Sequence, residues 1–452
     1  MAIPYIPHTR EDRREMLKEI GVKSIEELLE AIPQKVRLTR YLDIPAQISE
    51  IELAHLMRKL SQENAGTDEY TCFLGGGAYD HFVPGVVDHL ASRSEFYTPY
   101  TPYQPEASQG ILQVFYEYQS LICNLFQMEV SNASLYDGAT ALAEAIVMAH
   151  GITQRKKVLV ARTVHPEFRE VMLTYTKAIG MHLIEIGYKD GVTDLQELED
   201  NIDDGTCCVV IQSPNFLGYM EDVRELEKIT HRFGSLYVVY VDPVSLGLLT
   251  PPGEFNADIA VAEGQALGNP IYFGGECLGI FTTKREFLRK MPGRLIGETS
   301  DKQGRRGFVL TLQTREQHIR RERATSNICT NQALNALRAA IYLSCLSEEG
   351  LREVAGLCLE NSHYLMERVK KIPGFSLPFS SSFFKEFVVK CPRPPKEINK
   401  ILLENEIIGG LDLGRFYPEL NNSLLFCTTE RRTKKEIDEL IVILEDVKWA
   451  RP

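Results

Sequence analysis

The chain has 452 residues, 44% of them hydrophobic and 25% charged, with a formal net charge of −12. That balance suits a globular protein with a sizeable core, the acidity speaks against a nucleic-acid surface, and no apolar run approaches a membrane span. At about 150 residues per domain, the length predicts two or three domains, or a large and a small lobe.

The opening sequence, MAIPYIPHTREDRREM, has no apolar h-region and turns acidic too early for a transit peptide. No secretory or mitochondrial address is expected, and the expected location is cytoplasmic. Ten cysteines are scattered without a C-x-x-C pair. Buried reduced thiols are expected, not a metal site or a disulfide framework.

Two short amphipathic helices are predicted over 9–20 and 24–32. Ser24 with Glu27 has the spacing of a capping box, and Pro33 stops the second helix. Ser49 with Glu52 makes another box before Ile51, Leu53, Leu56, Met57 and Leu60, which share one helix face. Residues 1–65 therefore read as a helical arm wrapped on something else.

A Gly- and Tyr-rich stretch follows, FLGGGAYDHFVPG over 73–85, and then FYTPYTPYQPEASQG over 96–110. The prolines of the second forbid both helix and central strand. Its aromatics, Phe96, Tyr97, Tyr100 and Tyr103, are costly to leave in water, so the loop is expected to be buried or to cover a pocket. A Pro-stiffened loop packed under a helix is the plainer reading; a lid or a wall of a partner's active site is the functional one.

A long helix is predicted over 108–126. Next, NASLYDGATALAEAIVMAH places a tight turn at Asp137-Gly138 before a strong helix over 139–150. Its amino end, opened by small residues, offers free N–H groups and the positive end of the dipole, a weak anion-site signal. From residue 157 the chain alternates: strands over 158–161, 182–186, 207–212 and 236–241, with helices over 166–178, 194–201 and 222–233 between them. Such alternation predicts a parallel sheet with helices on both faces. His165 lies just past the first of these strands. Asp242-Pro243 closes the last, at the carboxyl edge where open α/β sheets bind ligands. Asp-Pro is also a common turn opener, so Asp242 reads either as a turn cap or as a carboxylate aimed into the crevice.

A second apolar strand over 258–262 leads into a Gly-rich turn over 264–275. There is no lysine between Asp242 and Lys284. A Gly- and Arg-rich loop is expected over 293–307, then an Arg-rich helix start over 311–323, whose Arg315, Arg320, Arg321 and Arg323 read as a solvated face. Helices over 327–346 and 348–370 precede an α+β lobe: strand 385–390, helix 395–404, strand 423–428 and helix 434–447. The expected domains are the arm (1–65), a large α/β domain (66–325) and a small C-terminal α+β domain (326–452).

The order of these features, with the motifs TPYTPYQPEASQG, NASLYDGATALAEA, TVHPEF, EGQALG with FGG, and LQTREQHIRRERATSNICTNQAL, resembles the glycine decarboxylase family, the P-proteins of the glycine cleavage system. The resemblance runs from about residue 40 onward. It implies a fold-type I pyridoxal-phosphate transferase-like fold, with a mixed, mostly parallel sheet and the small domain at the C-terminus. It implies an enzyme that decarboxylates glycine with pyridoxal 5′-phosphate and passes the aminomethyl group to the lipoyl arm of H-protein.

In that family the catalytic half carries His-Lys after the strand that follows the Asp. Aligning on Pro270 places Gly264-Gln265 there, and Gln265 cannot form an imine. The resemblance therefore implies the α-type, non-lysine subunit 1 of an α2β2 enzyme, with the cofactor on a homologous lysine-bearing subunit 2 and lipoamide as acceptor. No metal, nucleic acid or membrane is implied. Tyr97, Tyr100, Tyr103, Gln104 and Glu106 are the candidates to complete the partner's active site. Ser134, Asp137, Gly138, Ala139, His165 and Asp242 match cofactor-holding positions that are expected to be relics here. Two alternatives stand beside this reading. One is a silent structural or regulatory pseudo-enzyme that stabilises the cofactor-bearing subunit and docks H-protein. The other is a self-sufficient enzyme using Lys284, disfavoured because that lysine lies beyond the strand-like run 278–282 and would have to reach back.

Overall fold

The apolar run Leu236–Val241 forms a strand whose six residues are all buried, as expected of a β-branched strand covered on both faces. It lies at the centre of a seven-stranded sheet in a computed structural model that describes residues 7–272 and 277–447. In chain order the strands are β1 (Val130–Ser131), β2 (Lys157–Ala161), β3 (His182–Ile186), β4 (Thr206–Ser213), β5 (Leu236–Val241), β6 (Ile259–Glu263) and β7 (Gly279–Thr283). Across the sheet they run β1-β7-β6-β5-β4-β2-β3, with β7 antiparallel to both neighbours and the other pairings parallel. The carboxyl ends of β2, β4, β5 and β6 therefore share one edge, and the end of β7 lies at the opposite one.

That opposite edge decides the Lys284 reading. Lys284 follows β7, and its Nζ lies 2.5 Å from Asp258, just before β6. A strand's length separates it from Asp242, so it cannot reach back, for the reason the sequence suggested.

The C-terminal region builds a second, three-stranded antiparallel sheet from Glu386–Lys390, Ser423–Cys427 and Leu411–Asp412, backed by helices Pro395–Glu404 and Lys434–Val447. Its core of Phe387, Leu424, Phe426 and Leu440 also takes in Phe73 and Phe216 from far earlier in the chain. The segment after Phe73 is thereby held beside this second sheet.

Three expectations are corrected. The loop expected over 293–307 contains an antiparallel hairpin, Leu295–Ser300 with Arg306–Thr311. Leu295, Ile296, Phe308 and Leu310 are buried, and the flanking Gly and Arg residues masked their spacing. The helix start over 311–323 shrinks to Gln317–Arg320 between 3-10 turns, because Leu312 and Arg321 take positive φ. Arg315 is not on a solvated face: it is half-buried and donates to the carbonyls of Met291 and Gly293. The helices expected over 327–346 and 348–370 do part at Ser347, whose φ of 58° and ψ of −172° break the run Ala333–Val369, although the first begins at Ala333.

The chain divides after Asn64. Within the first unit, helices Arg10–Ile20, Ile25–Leu28 and Glu50–Ser61 bury no residue. The Ser49–Glu52 capping box forms, and Thr9 with Asp12 forms another. Ser24 makes no side-chain cap, Glu27 accepts the Lys23 amide, and that helix is one turn long. Ile51, Leu53, Leu56, Met57 and Leu60 lie on the predicted helix but remain exposed. Among the described residues no helix is long and apolar enough to cross a membrane. Six cysteines are buried, as expected, while Cys329 and Cys345 are exposed.

A candidate site at the carboxyl edge of the sheet

Asp242, at the end of β5, points both ways that the sequence left open. Its Oδ1 accepts the Val244 amide at 3.0 Å, capping the turn. Its Oδ2 faces the crevice and meets Lys385 Nζ at 2.7 Å. Lys385 comes from the C-terminal region, directly before Glu386–Lys390, and is only 1% exposed. Burial alone would lower its pKa, but the Asp242 carboxylate outweighs this and holds the amine above its ordinary value. The ammonium also lies 3.4 Å from the centroid of the Tyr79 ring and 3.1 Å from His81 Nε2.

The Gly-rich segment after Phe73 fills the middle of the crevice. Gly76 and Gly77 have φ of +78° and +112°, and a Cβ at Gly77 would lie 2.9 Å from His165 Nε2. Only glycine lets the backbone come that close. His165 is fully engaged: Nδ1 accepts the Glu167 amide and Nε2 donates to the Gly76 carbonyl at 2.8 Å. Its ring stacks on Phe168 at 4.3 Å between centroids. Burial pushes its pKa down to about 4, so the imidazole is neutral. Glu386 accepts from the Gly76 amide and the Tyr79 hydroxyl, each at 2.7 Å. Burial raises its pKa to about 7.

At the other end, Asp137 caps the helix Gly138–Thr153 through the Thr140 amide, at 2.7 Å. The free Gly138 N–H at that helix start donates to Glu263 Oε2 at 2.9 Å. Glu263, the last residue of β6, also accepts the Gln265 and Leu278 amides at 2.9 and 2.7 Å, and burial raises its pKa to about 7. The helix-start N–H read from the sequence as a weak anion signal is thus taken by this chain's own Glu263. Ala139 is half-buried in the first turn. Ser134 is not on the crevice: its hydroxyl accepts from Gln332 and Asn331 and ties this turn to the start of Ala333–Val369.

Gln265 is buried where the resemblance places it. Its amide nitrogen donates to the Asn269 carbonyl at 2.6 Å and its oxygen accepts the Tyr79 amide at 3.0 Å. The end of the Gly-rich turn, with the FGG motif, lies outside the described residues at 273–276. The space left among Tyr79, His165, Asp242, Glu263, Gln265 and Lys385 is about 20 Å³, enough for a single water.

Behind Lys385, the His81, Cys358 and Glu430 donor atoms lie within 4.8 Å of one another. They form a hydrogen-bonded chain: His81 Nδ1 to Glu430 at 2.7 Å and Cys358 Sγ to Glu430 at 3.6 Å. Burial would raise the Glu430 pKa, but His81 and the Phe82 amide hold it below the carboxylate range. The Lys385 ammonium lies 3.1 Å from His81 Nε2, so this donor set already serves a cation of the chain itself.

The predicted loop residues gather elsewhere. Tyr97, Tyr100 and Tyr103 are 60%, 83% and 49% exposed, and Gln104 and Glu106 are exposed too. The loop is not buried within its own chain. Tyr103 leans on Arg294, 5.8 Å from the ring centroid, and on His318 at 5.7 Å. Gln109 anchors the loop's end by two 2.8 Å hydrogen bonds with Phe308.

An Asp at the end of a central strand, a glycine-led helix beside it and a histidine over the crevice, on this sheet order, define the fold-type I pyridoxal-phosphate enzyme class. A NifS-like protein and the Burkholderia pseudomallei sphingosine-1-phosphate lyase share the fold, with TM-scores of 0.63 and 0.67 at 14% and 13% identity, over 84% and 92% of this chain and 99% and 95% of theirs. The residues here nevertheless do not fit that cofactor. Asp242 is paired with Lys385, the Gly138 N–H is paired with Glu263, buried Gln265 offers no amine, and the space left among them is about 20 Å³.

The family model for the glycine cleavage system P-protein matches residues 4–444. The chain belongs to that family. It is 52% identical to proteins named "Probable glycine dehydrogenase (decarboxylating) subunit 1" from Desulforamulus reducens and Geobacillus sp., over 96% and 98% of this chain and 98% of each relative. A crystal structure of glycine decarboxylase (P-protein) of the glycine cleavage system, in inhibitor-bound form, superposes with a TM-score of 0.89 at 43% identity, over 98% of this chain and all of that one.

Sequence reasoning missed Lys385, Tyr79, His81, Glu263 and Glu386. The GGG run at 75–77 was the available signal for a tight backbone approach; nothing local marked Lys385 as a partner of Asp242.

Proposed function

We propose that the chain is subunit 1 of a glycine dehydrogenase (decarboxylating), the half without an imine lysine, assembled with a homologous lysine-bearing subunit in two copies of each. The observation that carries this reading is Gln265, sealed between Tyr79 and Asn269 in a chain 52% identical along its length to proteins of that name. Pyridoxal 5′-phosphate belongs to the partner in this reading. The aminomethyl group of glycine leaves on the lipoyl arm of H-protein. This chain contributes the wall formed by Tyr97, Tyr100, Tyr103, Gln104 and Glu106. Rings left this exposed in one chain are suited to cover the reacting atoms in another and keep water away.

The test is reconstitution. Carbon dioxide release from carboxyl-labelled glycine is expected only when this chain and the lysine-bearing homologue are combined. Release by this chain alone refutes the proposal.

The filled crevice favours one second reading, a silent subunit that stabilises the partner and docks H-protein. Tyr103→Ala and Glu106→Ala separate the two. Lost turnover with assembly intact supports the wall; turnover that survives intact supports the silent subunit.

A further inference from the structure

We infer that this chain has replaced a bound cofactor with its own side chains, so that the crevice is permanently occupied and joins the C-terminal region to the sheet. Three substitutions line up from one end of the crevice to the other. The Lys385 ammonium donates to Asp242 at 2.7 Å, the contact a protonated pyridine nitrogen would make. The Tyr79 ring lies beside it, 3.4 Å from the ammonium. The Glu263 carboxylate takes the Gly138 N–H at 2.9 Å, where a phosphate would sit at a helix start. The crevice thus holds an ammonium, a ring and a carboxyl group, chemical counterparts of the nitrogen, ring and phosphate of a phosphorylated pyridine.

The substitution solves a physical problem. A buried aspartate without a counter-ion, and a buried helix start without an acceptor, each destabilise a fold. An enzyme of this class is relieved of both by its cofactor. This chain is relieved of both by groups it carries. Lys385 lies at the base of the second sheet, so its ion pair is also a clamp. It fixes Glu386 where the Gly76 amide and the Tyr79 hydroxyl reach it. The inference does not rest on the proposed activity, since it is read from stability and ligand retention of the full-length chain.

The experiment is removal and chemical rescue. Lys385→Ala leaves Asp242 facing a space the shape of an alkyl amine, and the folding equilibrium is expected to fall about a hundredfold or more. n-Propylammonium should raise the thermal midpoint of this variant above the effect of equal 1-propanol or sodium chloride, and should leave wild type unmoved. Should Lys385→Ala not fold, Lys385→Met with Asp242→Asn, which removes both charges together, is expected to fold within about tenfold of wild type. In parallel, wild type dialysed against 4′-deoxypyridoxine 5′-phosphate, a cofactor analogue with no aldehyde to react with surface lysines, is expected to retain none. The inference is overturned if Lys385→Ala is as stable as wild type, if propanol rescues it as well as propylammonium does, if the double variant is no better than the single one, or if wild type retains the analogue stoichiometrically.

Discussion

Two neighbouring aromatic-bearing segments, FLGGGAYDHFVPG and FYTPYTPYQPEASQG, end in opposite environments. Glycine dominates the first, and its backbone closes to within contact of His165 and Glu386, carrying Tyr79 into a network in which each polar group has a partner. Proline dominates the second, and its stiffened backbone cannot join a strand, so Tyr97 and Tyr100 stay in solvent. Glycine permits close approach; proline holds side chains out at low entropy cost. The inward segment lines this chain's own crevice, and the outward one leaves its rings in solvent.

The sharpest way to break the contrast is Gly77→Ala. It forces a non-glycine residue to φ +112° with its Cβ 2.9 Å from His165, and a loss of about 3 kcal/mol is expected by denaturant titration. A loss under about 1 kcal/mol would mean that the inward segment is loosely held.

Next comes pH. The folded-state pKa of His165 is depressed to about 4 from 6.5, so the folded form resists protonation. Its contribution is fully present above pH 6.5 and is lost as pH falls towards 4, by about 3 kcal/mol at most. Glu263 and Glu386, raised to about 7, run the other way: their contribution is present below 4.5 and is lost as pH rises through 7. Comparing wild type with His165→Asn isolates the histidine. The wild-type advantage is expected to shrink as pH falls from 6.5 to 4, and an advantage constant across that range would show the ring to be solvated.

Tyr100→Ala probes the outward segment. Its stability should stay within about 0.5 kcal/mol of wild type, while glycine turnover of the reconstituted enzyme falls about tenfold, equal to about 1.4 kcal/mol. The smallest expected effect is Pro99→Ala, a loss of up to about 1 kcal/mol that acts mainly through the unfolded chain. A larger loss would place that proline in a packed position.

The sheet was legible because period and length agreed: β3 and β5 and the helices Pro166–Ala178, Pro395–Glu404 and Lys434–Val447 lie where apolar spacing and their Pro or Asp boundaries put them. The hairpin over 295–311 was not legible, because its alternation is carried by few residues among Gly and Arg. Half of the site could be read. Asp242, His165, Asp137 and Gly138 each follow or open an element, so the sheet edge could be inferred to gather them. Lys385 could not be placed, since it meets Asp242 only through tertiary packing of a distant segment. Glu263 could not be placed either, since it meets the Gly138 amide only through tertiary packing of a segment 125 residues away.

The separation of Asp242 and Lys385 along the chain bears on synthesis. On the ribosome the sheet strands emerge first, with the aspartate unmatched, and its counter-charge is translated only near the end. A nascent polypeptide halted before residue 385 should therefore collapse without reaching the native packing, leaving an exposed crevice that chaperones would recognise.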